Sequence, residues 1–264
     1  MLRTGTVITN PHFVIRAVEC SADHTRWSPA EMPRGPQIVL VRHGRFRLEA
    51  RGHRVTVDPT TGYRHRPGEE IRFAHPAGGD SCTSITFTGH ALAAELDAAP
   101  APAIRVDARL EFAHRILLRT APDPEFAAAE AVVRLLALTL REQPGTTPAP
   151  SRYALADRAR QAILAGVPAA ADLIALSSLL DTTPAHLSRT FHHHIGMPIS
   201  RYRNRIRISG ALARLERGET DLAALAADLG FSDQSHLTRV LRHELGHTPA
   251  RIRALLHETT AAQR

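Results

Sequence analysis

The 264-residue chain contains no lysine, one tryptophan and only two cysteines. Cys20 and Cys82 are too few for a disulfide framework and lack the paired spacing of a zinc site. No apolar run approaches the ~20 residues that cross a bilayer. The opening residues, MLRTGTVITNPHF, also lack the apolar centre of a secretory leader. We therefore expect a cytoplasmic protein with no membrane partner.

Every positive side chain is an arginine, and the 33 arginines outnumber 26 acidic residues, which gives a formal net charge of +7. Residues 151–264 carry 15 of these arginines and 10 of the acids, so most of the excess lies there. A basic excess favours nucleic acid through counterion release but reads no sequence. Composition therefore admits a nucleic-acid partner without establishing one.

An internal repeat marks the C-terminal half. HLSRTFHHHIGMPISRYR at 186–203 matches HLTRVLRHELGHTPARIR at 236–253, with seven identities and no gap. In each copy an apolar residue recurs every four positions, which is typical of one buried helix face. A shorter apolar helix and a turn precede each copy, so we predict helix-turn-helix units at about 171–195 and 221–245. A connecting helix is predicted over 198–217.

Residues with capping propensity flank these helices. Thr183 is the predicted N-cap of the helix in the first copy, Ser232 that of the second, and Asp221 that of the short helix before it. Gly196 and Gly246 stand where a left-handed residue ends a helix.

The face opposite each apolar stripe is polar. Small hydroxyl groups and guanidinium groups suit base edges and phosphate oxygens. Any one arginine can equally be solvated, but Arg189 and Arg239 occupy equivalent positions of the two units, which favours DNA contact. The outward positions predicted from periodicity are Ala185, Ser188, Arg189, His192, Ser235, Thr238, Arg239 and Arg242.

The N-terminal half has a β texture. Short runs over 36–87 (QIVLVR, RFRLEA, HRVTVD, EEIRFA and CTSITF) are separated by turn residues such as 59–62, which predicts an antiparallel sandwich or small barrel. Helices are predicted at 107–119 and 124–141. The second is so apolar that it must be buried, against the β domain or against a second copy.

The segment QPGTTPAPS at 143–151 interrupts helical patterning and predicts a linker. The predicted fold is α+β and multidomain. It consists of a β domain with a helical pair at 1–142 and an all-α domain at 152–264.

The C-terminal motifs resemble those of the AraC/XylS family of bacterial transcription regulators. The resemblance rests on HLSRTFHHHIGMP at 186–198, a connector containing Arg207 and Ala211, and GFSDQSHLTRVLRHELGHTPARIR at 230–253. It covers roughly the last hundred residues. The base-facing positions that it implies are Ala185, Ser188, Arg189, Gln234, Ser235, Thr238 and Arg239.

Three residues depart from the family pattern. Ser177 replaces a packed alanine, Asp181 replaces a turn glycine, and Arg214 replaces a connector leucine. Aspartate tolerates left-handed backbone angles, so the first turn can still form.

The N-terminal half is similar to the cupin-like sensor half of this family, through its strand rhythm and PGEEIRFAHPAGGDSCTSITF at 67–87. The resemblance implies a β-barrel with a pocket for a small-molecule effector, and a homodimer formed through the helices. Double-stranded DNA is the implied partner, and RNA polymerase is a further one.

Sixteen histidines raise the question of a metal. His43, His53, His65 and His75 are spaced too widely for the tight H-x-H motif of enzymatic cupins. His192 to His194 point in three directions on a helix. We therefore expect no metal site and no cofactor.

Three classes of function stay open from the sequence. The first is a sequence-specific transcription regulator that is not an enzyme, which we favour. The second is a cupin-type enzyme with an accessory helical domain. The third is a nonspecific nucleic-acid or protein-interaction module. Two positioned recognition helices argue against the third, because backbone binding needs only charge.

Overall fold

The chain forms two compact units, one built from Met1–Gln143 with Ala211–Arg264 and the other from Pro144–Gly210. The predicted linker at 143–151 lies outside the described residues except for its last two, so the domain boundary there stays a prediction. The computed structural model describes residues 2–97, 102–119, 126–141 and 150–257.

The N-terminal region is antiparallel throughout the described part. A larger sheet has the order β1-β2-β8-β3-β6-β9, and a smaller one has the order β5-β4-β7. Both sheets are open. Of the two predicted alternatives, a sandwich or a small barrel, the domain is therefore the sandwich. The strands are β1 (Leu2–Asn10), β2 (Phe13–Cys20), β3 (Gln37–His43), β4 (Phe46–Ala50), β5 (His53–Val57), β6 (Thr61–His65), β7 (Ile71–Ala74), β8 (Asp80–Phe87) and β9 (Ala103–Arg105).

Strand β3 is covered on both faces. Ile38 and Leu40 are buried in a cluster with helical residues, whereas Val39 and Val41 are buried with side chains of the smaller sheet. Successive strand residues point to opposite faces. A strand covered on both sides is therefore apolar along its length, which explains the run QIVLVR.

Four strands were not predicted: β1, β2, β6 and β9. Strand β6 shows the reason most clearly, because it begins within the segment 59–62 that was read as a turn. Gly62 lies inside this strand, and a Cβ there would come within 2.7 Å of the Leu40 side chain and of the Val39 carbonyl. The glycine permits close packing rather than a turn.

Three helices accompany the sheets: α1 (His90–Asp97), α2 (Ala108–Leu117) and α3 (Ala127–Arg141). Asp107 caps α2, since its carboxylate accepts the N–H of Leu110 at 2.7 Å. Helix α3 buries Ala128, Val132, Leu135 and Leu136.

Two apolar residues of the predicted segment are exposed within the single chain, so burial against a second copy stays a prediction for them. Phe126 is 72% exposed and Val133 51% exposed. They are seven residues apart, about two helical turns, so they lie on the same side of the helix axis. The start of this helix predicted at 124 lies outside the described residues.

The remaining elements are helical, and they confirm both helix-turn-helix units, as α5–α6 and α8–α9, together with the connecting helix α7. Leu176, Leu187, Phe191 and Tyr202 form part of the core around the first unit. The helices are α4 (Pro150–Leu164), α5 (Leu173–Leu179), α6 (Pro184–Ile195), α7 (Ile199–Glu216), α8 (Leu222–Asp228), α9 (Gln234–Leu245) and α10 (Pro249–His257), with a short 3-10 turn at Pro168–Ala171.

Candidate nucleic-acid interface and sensor cavity

Helix α6 begins and ends at the predicted residues. The Oγ1 atom of Thr183 accepts the backbone N–H of His186 at 3.2 Å, and Pro184 occupies the first helical position. Gly196 ends the helix with a φ of 76°, in the left-handed region. Leu187 and Phe191 are fully buried, which fixes the rotation of the helix about its axis.

The opposite side of α6 faces outwards. Ala185, Arg189 and His192 are exposed, and Ser188 is half-buried. The Nε atom of Arg189 donates to the Ala185 carbonyl at 3.3 Å, which holds the base of the guanidinium against its own helix. The four predicted side chains therefore share one outward face. Their contact with DNA stays a prediction.

Helix α9 is capped by Asp233, so the prediction of Ser232 is wrong. The carboxylate of Asp233 accepts the N–H of His236 at 2.7 Å, and this bond is the main cause that lowers the pKa of Asp233. Ser232 instead places its hydroxyl 3.0 Å from Nδ1 of His236. Gly246 ends the helix with a φ of 75°, as predicted.

The two recognition helices have matching faces. In α9, Leu237, Leu241 and Leu245 are buried, and the polar residues lie opposite them. Thr238 is half-buried like its counterpart Ser188. The four exposed members of the predicted set are Gln234, Ser235, Arg239 and Arg242.

The short helices that precede α6 and α9 are also alike. Asp172 and Asp221 each accept two backbone N–H groups at 2.8–3.0 Å, which confirms Asp221 as a cap. In the turns that follow, Asp181 has a φ of 52° and Gly230 a φ of 72°. Aspartate thus adopts in the first turn the backbone conformation that glycine adopts in the second.

The other two departures from the family pattern also have structural reasons. Ser177 is buried, and its hydroxyl is satisfied by the Ile174 carbonyl at 2.8 Å. Arg214 reaches Asp228 at 2.5 Å and Glu219 at 2.6 Å, so an ion pair joins α7 to α8 where a leucine would pack.

A polar contact links α2 and the residues just after it to the end of the connecting helix α7. Arg115 of α2 is bonded to Glu111 at 2.8 Å and to Glu216 at the end of α7, and Arg119 reaches Glu216 at 3.0 Å. Burial lowers the pKa of Arg115, but the carboxylates of Glu111 and Glu216 more than offset this, so the pKa is raised. Sequence gives no signal for a pair about a hundred positions apart.

Apolar and backbone contacts extend the same junction. The ring of Phe112 lies 5.8 Å from that of His247, and Nε of Arg109 donates to the Glu244 carbonyl at 3.2 Å. Helix α2 therefore touches the end of recognition helix α9. His114, also on α2, is buried, and burial lowers its pKa to about 3.

A cavity of about 520 Å³ opens within the β sandwich. Its apolar wall includes Phe46, Tyr63 and Phe73, whose rings pack with centroids 5.8–6.1 Å apart. Burial raises the pKa of Tyr63. Ser28 also lines the cavity, and the adjacent Trp27 carries the guanidinium of Arg54 over its ring at 5.3 Å.

Polar groups gather along another part of the cavity wall. Gln37 and Ser84 line it, and Gln37 donates to Ser84. The Gln37 side-chain oxygen also lies 2.6 Å from Nε2 of His65, a buried residue outside the lining whose pKa burial lowers to about 4. Amide and hydroxyl groups can orient a small polar molecule. Sequence reasoning did not single out Gln37 or Ser84, although alternation along β3 and β8 is the signal that places them on one face.

Comparison with known proteins decides the nature of the C-terminal region. Residues 176–254 match a family model described as a helix-turn-helix domain. This region is an AraC-type helix-turn-helix domain. The match spans both units, α5–α6 and α8–α9, and confirms the resemblance drawn from the motifs. Over the described residues, no helix of the AraC-type domain or of the rest of the chain is long and apolar enough to cross a membrane.

Individual relatives match short stretches of the chain. The HTH-type transcriptional activator RhaS of Escherichia fergusonii is 33% identical over 67 residues, 25% of this chain and 24% of that protein. An uncharacterized HTH-type transcriptional regulator of Haemophilus influenzae is 26% identical over 78 residues, 30% of this chain and 26% of that protein. The chain thus matches about a quarter of the length of these curated relatives.

Solved structures give weaker likenesses. ToxT from Vibrio cholerae covers 94% of this chain and 97% of its own, at 11% identity and a TM-score of 0.37. A cupin superfamily protein from Desulfitobacterium hafniense covers 33% of this chain and 77% of its own, at 14% identity and a TM-score of 0.29. Scores this low assign no fold, so the architecture rests on the strands and helices themselves.

Proposed function

We propose that this protein is a sequence-specific DNA-binding regulator of transcription whose recognition helices are α6 and α9. One observation carries the proposal. Two twelve-residue helices, fifty positions apart, are each capped at the N-terminus, ended by a left-handed glycine and buried along one apolar stripe. Both therefore present a fixed polar face, as a helix that reads the major groove must.

The chemistry of the two faces supports base reading. Arg189 and Arg239 are exposed at equivalent positions, and arginine donates two hydrogen bonds to the O6 and N7 atoms of guanine. Gln234 can pair in the same way with adenine. The hydroxyls of Ser188, Ser235 and Thr238 suit base edges or phosphates, as do the imidazole of His192 and the guanidinium of Arg242. Ala185 suits a thymine methyl group.

The cavity in the β sandwich supports a sensor role. Its volume of about 520 Å³ lies in the range of small-molecule sites, and its apolar wall with a few polar groups is typical of them. Helix α2 offers a route from the β domain to α9. We therefore include an effector that binds in this cavity and changes DNA affinity through α2.

The rest of the proposal follows the family resemblance. It comprises a cytoplasmic homodimer that contacts RNA polymerase at its promoters. The alternative of a cupin-type enzyme gains no support from the family match, which concerns the helical region alone.

The test is selection of bound duplexes from a random DNA library by the purified full chain at near-physiological salt. We expect a motif of about two helical turns, because two recognition helices would read neighbouring major grooves. The matched control is the double variant Arg189→Ala/Arg239→Ala. Loss of the motif in the variant supports the assignment, whereas the same motif from both proteins removes Arg189 and Arg239 from base recognition.

A further inference from the structure

Three metal-ligating side chains meet beside the cavity, although the sequence pattern predicted no metal site. They are Cys20 at the end of β2, His75 after β7 and Asp80 at the start of β8. One potential ligand atom from each lies within 4.8 Å of the other two. Their separation along the chain hides them from any search for closely spaced ligands.

Backbone pairing holds the three residues together. Cys20 is the antiparallel partner of Asp80, so their side chains leave the same face of the sheet. The N–H of His75 donates to the His24 carbonyl at 2.8 Å, which fixes the segment after β7. Between them, Gly78 has a φ of 82°, and a Cβ at Gly79 would lie 2.7 Å from the Cys20 carbonyl. These glycines let the chain fold tightly back against Cys20.

The polar atoms of this cluster are incompletely satisfied. The Asp80 side chain is only 4% exposed, and its Oδ1 lies 3.2 Å from Nε2 of His75 but accepts no hydrogen bond. Nδ1 of His75 is buried and has no hydrogen-bond partner. Oδ2 of Asp80 is used, since the Cys82 thiol donates to it at 3.1 Å. A buried carboxylate oxygen without a hydrogen bond, such as Oδ1, raises the free energy of the folded state unless a cation binds to it.

We propose that Cys20, His75 and Asp80 bind a divalent late transition metal ion of the zinc type. Thiolate, imidazole and carboxylate are the ligands that zinc takes in proteins, and three protein ligands leave a fourth position for water or a ligand. All three residues also line the cavity, so that position faces it.

Only a small movement of the three ligand atoms towards one another is needed for metal binding. Zinc bonds of about 2.0–2.3 Å place neighbouring ligand atoms about 3.5 Å apart, and the His75 and Asp80 atoms already meet that separation. Cys20 is half-buried at a strand end, where its side chain can turn towards the other two.

Metal binding stands apart from the proposed DNA function and is measured without DNA. Only a regulatory role of the metal, either as the effector itself or as a group that binds the effector, rests on the proposed DNA function. If the protein binds the metal but selects no DNA motif, the proposed regulatory function is refuted and the proposed metal site is retained.

The test is titration of the metal-free full chain with Co²⁺, followed by absorption spectroscopy. A thiolate bound to Co²⁺ gives a charge-transfer band in the near ultraviolet, which histidines such as His192 to His194 cannot produce. The chain has only two cysteines, so the source of the band can be assigned. We expect a band that saturates at one Co²⁺ per chain and is lost on addition of Zn²⁺.

Variants then assign the ligands, with circular dichroism confirming the fold of each. Cys20→Ser and His75→Ala should lose the band, and the matched control His12→Ala, at an exposed histidine outside the cluster, should keep it. Cys82 is left unchanged, because its thiol donates to the proposed ligand Asp80. The proposal is overturned by absence of the band in the native chain, by its survival in Cys20→Ser, or by its loss in His12→Ala.

Discussion

At the scale of single residues, equivalent positions in the two helix-turn-helix units are occupied by different chemistry. Arg189 and Arg239 are the same residue in both, but the turn residue is Asp181 in one unit and Gly230 in the other, with similar backbone angles. The two units therefore share backbone geometry, whereas the side chains proposed to read bases differ at other equivalent positions, such as Ala185 and Ser235.

The first prediction concerns Arg239. Arg239→Ala should lose about 1–3 kcal/mol of specific binding and relax preference at one base pair, because a guanidinium that pairs with guanine discriminates against other bases. The measurement is competition of the selected duplex against single-base variants. Arg217→Ala, an exposed arginine outside the recognition helices, is the control. An equal loss on every sequence would identify Arg239 as a phosphate contact.

The second prediction separates the two candidate caps of α9. Asp233→Ala should lower the urea midpoint of the full chain, and Ser232→Ala should leave it nearly unchanged, since only Asp233 accepts the N–H of His236. Because the folded-state pKa of Asp233 is lowered, its contribution is present above the unfolded-state pKa and is lost as the pH falls through the folded-state value. If Ser232→Ala lowered the urea midpoint and Asp233→Ala did not, Ser232 would be the cap.

The third prediction concerns acid sensitivity. The pKa of buried His114 is lowered from 6.5 to about 3, so between these values only the unfolded chain takes up the proton. Stability should therefore fall as the pH drops below 6.5, by about 2 kcal/mol at pH 5 from this residue. His114→Leu should flatten that decline in urea melts at pH 7 and pH 5, whereas exposed His12→Leu should not. Parallel declines in all three proteins would contradict the assignment.

At the scale of elements, sequence periodicity predicted the helices of both helix-turn-helix units and five strands, but missed α1, α10 and four strands. Helices α6 and α9 were predicted from apolar spacing plus flanking Thr183, Gly196 and Gly246, all local signals. Strand β6 was missed because Gly62 looks like a turn residue until Leu40 is packed beside it. The conformation of such residues depends on packing against distant segments, and a local sequence pattern does not contain that information.

The same limit applies to the candidate sites. The outward faces of α6 and α9 followed from residue spacing along one helix. The cluster of Cys20, His75 and Asp80 depends on strand pairing between distant segments, as does the junction of Arg115 with Glu216. Sites assembled within one element could be predicted, and sites assembled between elements could not.

The fourth prediction tests the junction made by α2. Glu216→Gln should lower the free energy of unfolding by about 1–2 kcal/mol, because Arg115 and Arg119 lose a charged partner that is 19% exposed. Urea denaturation measures this, with exposed Glu130→Gln on α3 as the control. Equal midpoints for the native chain and Glu216→Gln would show that the contact adds no stability.

At the scale of the whole molecule, α2 is the element through which the N-terminal region contacts the second helix-turn-helix unit. It packs on α3 and contacts α9 and α10, so a shift in the β domain can reach a recognition helix through a single intermediary. That arrangement can couple two sites without a long chain of contacts.

The fifth prediction concerns assembly. Exposed Phe126, which directly precedes α3, and exposed Val133 within it are seven positions apart, and pairing of two such surfaces would bury them. Sedimentation should show a dimer for the native chain and a monomer for Val133→Arg. Ile174→Arg, which changes an exposed apolar residue of α5, should remain dimeric. A native monomer, or a dimeric Val133→Arg, would remove α3 from the interface.

The position of Trp27 has a practical consequence. It is the only indole in the chain, it neighbours Ser28 in the cavity wall, and Arg54 lies over its ring. Indole emission responds to polarity and to nearby charge. We therefore expect Trp27 emission to change when a ligand enters the cavity, while the AraC-type domain contributes no indole signal. Libraries of metabolites and metal ions can be screened by intrinsic fluorescence before any operator sequence is known.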